Sequence, residues 1–439
     1  MPFNWPKVRL EDVTTILGDG LHGTPEYDDQ GNYYFINGNN LSDGRIVFNE
    51  KTRRVGKAEY QRHRKDLNDR TILVSINGTL GNIALYRGEK VVLGKSACYF
   101  NVRPDVDKHF VRYVIDSPTF QDYIHNLATG STIKNVSLRL MRDFVFQLPA
   151  LEQQESISAT LLALDDRIDL LRQTNATLEA IAQALFKSWF IDFDPVLAKA
   201  EGREPEGMDA ATAALFSAEF EDSELGLIPK GWRAASINDI ANVIDCLHSK
   251  KPETLPEGRP FLQLNAIRDD GLLDWSKVSF ISESDYQKWT SRIEVSAGDC
   301  VITNVGRVGA VAQVPDGMRA AMGRNMTAIR LRADMPFPTY LIELLQSAWM
   351  RTEITLRTDV GTILNALNVR SIPQLRCTLA PVPVMSAFES LSRPIRASME
   401  LNLRRAERLA EIRDILLPRL ISGKLRLPEA EAKLREAAE

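Results

Sequence analysis

The stretch GEKVVLGKS (88–96) ends in Lys-Ser behind a pair of glycines, the residue types that cradle a phosphate. Five residues separate the glycines where a phosphate loop has four, and the matching stretch near Met322-Gly323-Arg324-Asn325 has no Lys-Ser. It reads as a strand end. GRVGAV (306–311) and GTLGNI (78–83) stop short of a dinucleotide fingerprint and read as β-turns whose glycines take positive φ. DFDPV (192–196) approaches the Asn/Asp-Pro-Pro-aromatic loop that grips a base amine, but no Pro-Pro pair occurs in the chain. Pro195 reads instead as a helix terminator. The histidines His22, His63, His109, His125 and His248 show no zinc-ligand spacing, and Cys98, Cys246, Cys300 and Cys377 stand far apart, as buried reduced thiols do. The residues thus point to no catalytic centre and no metal site.

The elements that would carry these residues are duplicated. LEDVTTILGDGLHGTPE (10–26) matches INDIANVIDCLHSKKPE (237–253), FINGNNLSDGRI (35–46) matches FLQLNAIRDDGL (261–272), INGTLGNIA (76–84) matches NVGRVGAVA (304–312), and TGSTIKNVSLRL (129–140) matches DVGTILNALNVR (359–370). Such spacing marks two diverged copies of one unit. Within each copy, β-branched runs between Gly and Asn turns alternate with helical spacing at 109–127 and 339–354, so each is an α+β unit.

Each copy ends in a long helix. Ile157, Leu164, Leu171, Leu178 and Leu185 recur as heptads, interleaved with Leu161, Ile168, Asn175, Ala182 and Trp189. A second seam holds Phe388, Ile395, Asn402, Leu409 and Leu416, interleaved with Ser392, Met399, Ala406, Arg413 and Leu420. Two seams on one chain predict an antiparallel pair. Setting Asn175 against Asn402 would pair the two polar positions, set Trp189 against Phe388, and fix the register. The pair would act as a ruler between two reading units, suited to a target with two half-sites.

The chain has 439 residues and a net charge of −4. EGREPEGMDAATAALFSAEFEDSEL (201–225) concentrates the acids and reads as a linker, leaving the remainder slightly basic. KTRRVGKAEYQRHRK (51–65) is strongly basic and is a candidate phosphate-contacting strip. No apolar run is long enough for a membrane span, and the N-terminus does not read as a signal peptide, so a cytoplasmic protein with no membrane partner is expected.

QLPALEQQESISATLLALDDRIDLLRQTNATLEAIAQALFKSWFIDFDPV (147–196) resembles the central region of specificity subunits of type I restriction-modification systems. GTPEY, SINGTLGNIA and GSTIKNVS resemble segments of their target recognition domains, and GTILNALNV and LLPRLISGKLRL fit the second half. The entry to the second helix, APVPVMSAFESL, departs from the Pro-x-x-Glu-Gln pattern at 149–153. The resemblance implies a first target recognition domain at 1–150, a central helix at 151–195, an acidic linker at 196–230, a second recognition domain at 231–382, a C-terminal helix at 383–425 and a tail at 426–439, in a pseudo-twofold arrangement. It implies a non-catalytic subunit that reads a bipartite site on double-stranded DNA and docks two methyltransferase and two restriction subunits. No cofactor is expected in this chain, while S-adenosylmethionine, ATP and Mg would belong to the partners. A protein-binding scaffold that reads no DNA, or a stand-alone DNA methyltransferase, are the alternatives.

Side chains that read base edges or hold phosphates are polar or basic and sit on loops. The repeat-matched loops of the first copy offer His22, Thr24, Asn37, Asn39, Lys95, Ser96, Thr132, Lys134 and Asn135. Those of the second offer His248, Lys250, Lys251, Gln263, Asn265, Arg307, Arg324, Asn325 and Asn365.

Overall fold

The computed structural model describes residues 5–130, 133–359, 361 and 365–430. The chain divides into two compact units, residues 1–168 with 408–439 and residues 169–407. A 40-residue central helix, Leu151–Phe190, and a 40-residue C-terminal helix, Val382–Ile421, contribute to both. Among the described residues, no helix is long and apolar enough to cross a membrane.

The first unit carries an antiparallel four-stranded sheet in the order Thr14–Asp19, Ala97–Val102, Thr71–Asn77, Thr79–Leu85. A second sheet sets Tyr33–Ile36 between Arg54–Val55 and a parallel Val91–Leu93. The second unit repeats this plan: Ala241–Asp245, Met326–Leu331, Cys300–Thr303 and Val311–Gln313 form the antiparallel sheet. Arg259–Leu262 again runs parallel to its neighbour, Arg319–Met322. The α+β class read from the repeats is the observed one.

Each sheet is followed by two helices. Lys108–Asp116 leads into Pro118–Leu127, and Pro338–Gln346 leads into Ala348–Leu356. Ser117 and Ser347 cap the second helix of each pair, accepting from the amides of Phe120 and Met350. A hydroxyl there satisfies a donor that the helix start leaves unpaired. The turn glycines Gly78, Gly81, Gly306 and Gly309 all take positive φ, as their spacing suggested. All four cysteines are free and buried, and burial pushes the Cys98 and Cys300 thiols up.

Within the second unit the two long helices run antiparallel in the register set by Asn175 against Asn402. The Trp189 and Phe388 rings lie 5.9 Å apart, and Leu178 shares a cluster with Met399. Phe186, Phe190, Tyr340 and Phe388 interlock in this core. Burying each such ring contributes on the order of 2 kcal/mol. In the first unit, Leu161, Leu164, Leu416 and Leu420 join the core beneath the sheet.

Two expectations are corrected. The helix does not run to Pro195. It ends at Phe190, and Pro195 opens a new helix, Asp194–Ala200, where a missing amide hydrogen costs nothing. The 196–230 stretch is folded rather than a linker. It forms a hairpin, Phe220–Ser223 with Gly226–Pro229, and inserts Val196, Phe216 and Ile228 into the second unit's core. Its acids dominate the composition and lie mostly on exposed positions, so they mask the few apolar anchors.

Candidate nucleic-acid interface

In the first unit four loops converge on one edge of the sheets. Leu21 donates to the Leu93 carbonyl at 2.7 Å, Gly94 to Ile36 at 2.8 Å, Ile76 to Ser96 at 2.9 Å, and Gly78 to Lys134 at 3.0 Å. These bonds gather the loops bearing His22, Asn37, Ser96 and Asn135. Gly20 permits one of these close approaches, since a Cβ there would stand 2.2 Å from the Leu93 carbonyl oxygen. The second unit repeats the edge. Gly323 donates to Leu262 and Asn304 to Asn325, each at 2.8 Å, while Asn304 Nδ2 donates to Leu367 at 3.0 Å.

The matched histidines share one geometry. His22 Nε2 lies 2.6 Å from Asp19 Oδ2, and His248 Nε2 lies 2.8 Å from Asp245 Oδ2. Each aspartate ends an equivalent strand, and both rings are mostly exposed. An aspartate bonded to one ring nitrogen orients the imidazole and leaves the other nitrogen for a ligand. Asp245, Cys246 and His248 bring their ligand atoms within 4.8 Å of one another. Arg292 also lies 3.2 Å from the same Asp245 oxygen, which places a cation where a metal would sit.

The remaining candidates divide by what their side chains already do. Thr24, Asn39, Lys95 and Lys134 are exposed on the first edge, and Lys250, Lys251, Asn265, Arg324 and Asn365 on the second unit's loops. Asn37 and Ser96 are half-buried and bonded to each other at 2.9 Å, so they shape the loop. Asn135 accepts from Asn77 Nδ2 at 3.1 Å, and Gln263 donates to Ser279 at 2.6 Å. Arg307 donates to the Ile267 carbonyl at 2.8 Å and pairs with Asp269. Asn325 takes a left-handed backbone at φ 62°, a conformation asparagine tolerates. Thr132 lies outside the described residues.

The basic strip carries a feature that residue-by-residue matching missed. Arg53 lies 5.4 Å from the Tyr27 ring centre and Arg54 5.2 Å from that of Tyr34. Tyr33 stacks on Tyr60 at 4.1 Å. Guanidinium groups held over aromatic rings form a rigid cationic ridge. The run of Lys and Arg pointed to the ridge, but Tyr27 and Tyr34, which carry its guanidinium groups, lie outside that run.

The helix candidates meet directly. Asn402 Nδ2 donates to Asn175 Oδ1 at 3.0 Å, and Asn175 Nδ2 donates to the Met399 carbonyl at 2.8 Å.

This is a duplicated α+β protein in which each globular domain sits on an antiparallel helix pair and gathers polar loops at one sheet edge. Residues 2–180 match the family "Type I restriction modification DNA specificity domain". Along its length the chain is similar to specificity subunits of type I restriction-modification systems. It is similar to the MjaIX specificity subunit of Methanocaldococcus jannaschii, 23% identical over 98% of this chain and 95% of that one. It is 24% identical to the HindI specificity subunit of Haemophilus influenzae over 67% of this chain and 72% of that one. The fold matches the S subunit from M. genitalium with a TM-score of 0.56, at 17% identity, covering 95% of this chain and 96% of that one.

Proposed function

We propose that each globular domain reads one half of a bipartite site on double-stranded DNA. The observation that carries this is the repeated edge. In both domains the aspartate that ends the same strand holds an exposed histidine three residues on, beside convergent loops whose other side chains differ. One scaffold with two sets of polar side chains suits two different half-sites. The ridge of Arg53 and Arg54 would hold phosphates beside the first edge.

The chain would act without chemistry or a cofactor of its own, in the cytoplasm. Two methyltransferase subunits would supply S-adenosylmethionine, and two restriction subunits would supply ATP and Mg. Exposed Leu170 and Leu401 on the long helices offer apolar contacts for such partners.

Exchanging residues 1–150 for the equivalent domain of a related subunit, followed by methylation-sensitive sequencing of the host genome, tests the reading. One half-site should change and the other persist. A change in both half-sites, or DNA binding by the assembled complex that is indifferent to salt, refutes it.

A further inference from the structure

Asp165 and Arg396 occupy the same place in the two long helices, counted from Leu151 and from Val382. They carry opposite charges, and the domain that meets each is opposite too. In the first unit Arg112 Nη1 lies 2.6 Å from Asp165 Oδ2, and Tyr113 donates to the same oxygen at 2.7 Å. Arg413 of the other helix donates to Asp165 Oδ1 at 2.8 Å. The groups bonded to Asp165 from the domain and the facing helix are all donors, with the Asp116 carboxylate held beside them on Arg112. In the second unit Arg396 Nη1 lies 3.6 Å from Glu343 Oε1 and donates to Gln346 Oε1 at 3.3 Å. It also donates to the carbonyls of Asp270 at 3.2 Å and Gly271 at 2.8 Å. Here the domain presents only acceptors to a helix guanidinium.

The domain positions correspond as well. Tyr113 and Glu343 each stand one turn before the capping serines Ser117 and Ser347, and Asp116 and Gln346 immediately before them. Glu343 and Arg396 are almost wholly buried, at 1% and 3% side-chain exposure, and Arg112 is nearly so. Solvent therefore does little to blunt a mismatch.

We propose that the reversed polarity is an address that seats the first domain on the central helix and the second on the C-terminal helix, and rejects the exchange. In the exchanged arrangement Arg396 would lose the Glu343 carboxylate, meet Tyr113 in its place, and face the Arg112 guanidinium as a second buried cation. Glu343 would meet Asp165, two carboxylates that cannot both stay ionised at contact distance. The charges at these positions therefore decide which partner is refused.

The test is a full-length chain in which residues 231–380 are replaced by a second copy of residues 1–149, studied by thermal unfolding and limited proteolysis beside the native chain. Arg396→Asp should lower the Tm of the native second unit by roughly 10 °C and raise that of the duplicated chain by a comparable amount. In the native chain, Glu343→Arg combined with Arg396→Asp should recover at least half of what either change loses alone. A duplicated chain as stable as the native one without Arg396→Asp overturns the address. So does a loss of Tm on Arg396→Asp in both backgrounds. A duplicated chain that stays unfolded with and without Arg396→Asp, together with no recovery in the native exchange, overturns it as well.

Discussion

Glu343→Gln should remove a pH dependence that the buried carboxylate builds into the second unit. Burial is the main influence on Glu343 and raises it. Arg396 and the Gln183 amide oppose this, Glu179 reinforces it, and the balance stands at about 7. Against an ordinary glutamate value of 4.5, that is on the order of 3 kcal/mol between the protonated and ionised forms. A raised carboxyl binds its proton more tightly in the folded chain. Its favourable contribution is therefore complete below the unfolded value of 4.5 and fades as pH rises through about 7. Between about pH 5 and about pH 8 the native second unit should lose roughly 5–10 °C of Tm relative to the Gln variant. The variant carries a constant offset, because Arg396 loses its counter-charge, so the slope against pH carries the prediction and not the Tm at one pH. Differential scanning calorimetry across that range, native chain against variant, is the assay. Parallel Tm profiles would refute the reasoning, and a native Tm that rises toward alkaline pH relative to the variant would reverse its sign.

Asp165 should respond in the opposite direction. Burial raises it, but Arg112 first, then hydrogen bonds from Arg413, Arg112 and Tyr113, hold it below the ordinary aspartate range. Its contribution is present above the unfolded value of 3.8 and is lost as pH falls below it, and Asp165→Ala should cost the first unit about 3–5 kcal/mol at neutral pH in a denaturant titration. Asn175→Leu removes two hydrogen bonds, worth roughly 1–3 kcal/mol together, but buries a larger apolar side chain in exchange. Its net stability change should fall within about 1 kcal/mol, and protection of the helix amides around Met399 should drop in hydrogen exchange. A loss of several kcal/mol would show that the amide pair is a stability element rather than a register element. Gly20→Ala should destabilise the first domain by more than about 2 kcal/mol, because the new methyl meets backbone rather than a side chain that can turn away.

The heptads, the repeats and the glycine turns were legible in the sequence because each depends on periodicity or on φ preference, which are local properties. The Asn175–Asn402 contact was legible for the same reason, since two seams with one polar position each admit few registers. What the 196–230 stretch does was not legible. Its burial rests on Val196, Phe216 and Ile228 meeting a core supplied in part by residues more than a hundred positions away, as Tyr340 and Phe388 show. Nor was the division of the candidate loop residues. Asn37 and Ser96 are bonded to each other while Asn39 and Lys95 beside them are exposed, although composition treats all four alike. The opposed junctions at Asp165 and Arg396 are the clearest case. Each charge is an unremarkable helix residue in sequence, and only packing brings it against one particular domain. Periodicity says which face of a helix is buried, but the sign of the charge that face must meet is set by its neighbour, and tertiary structure alone chooses the neighbour.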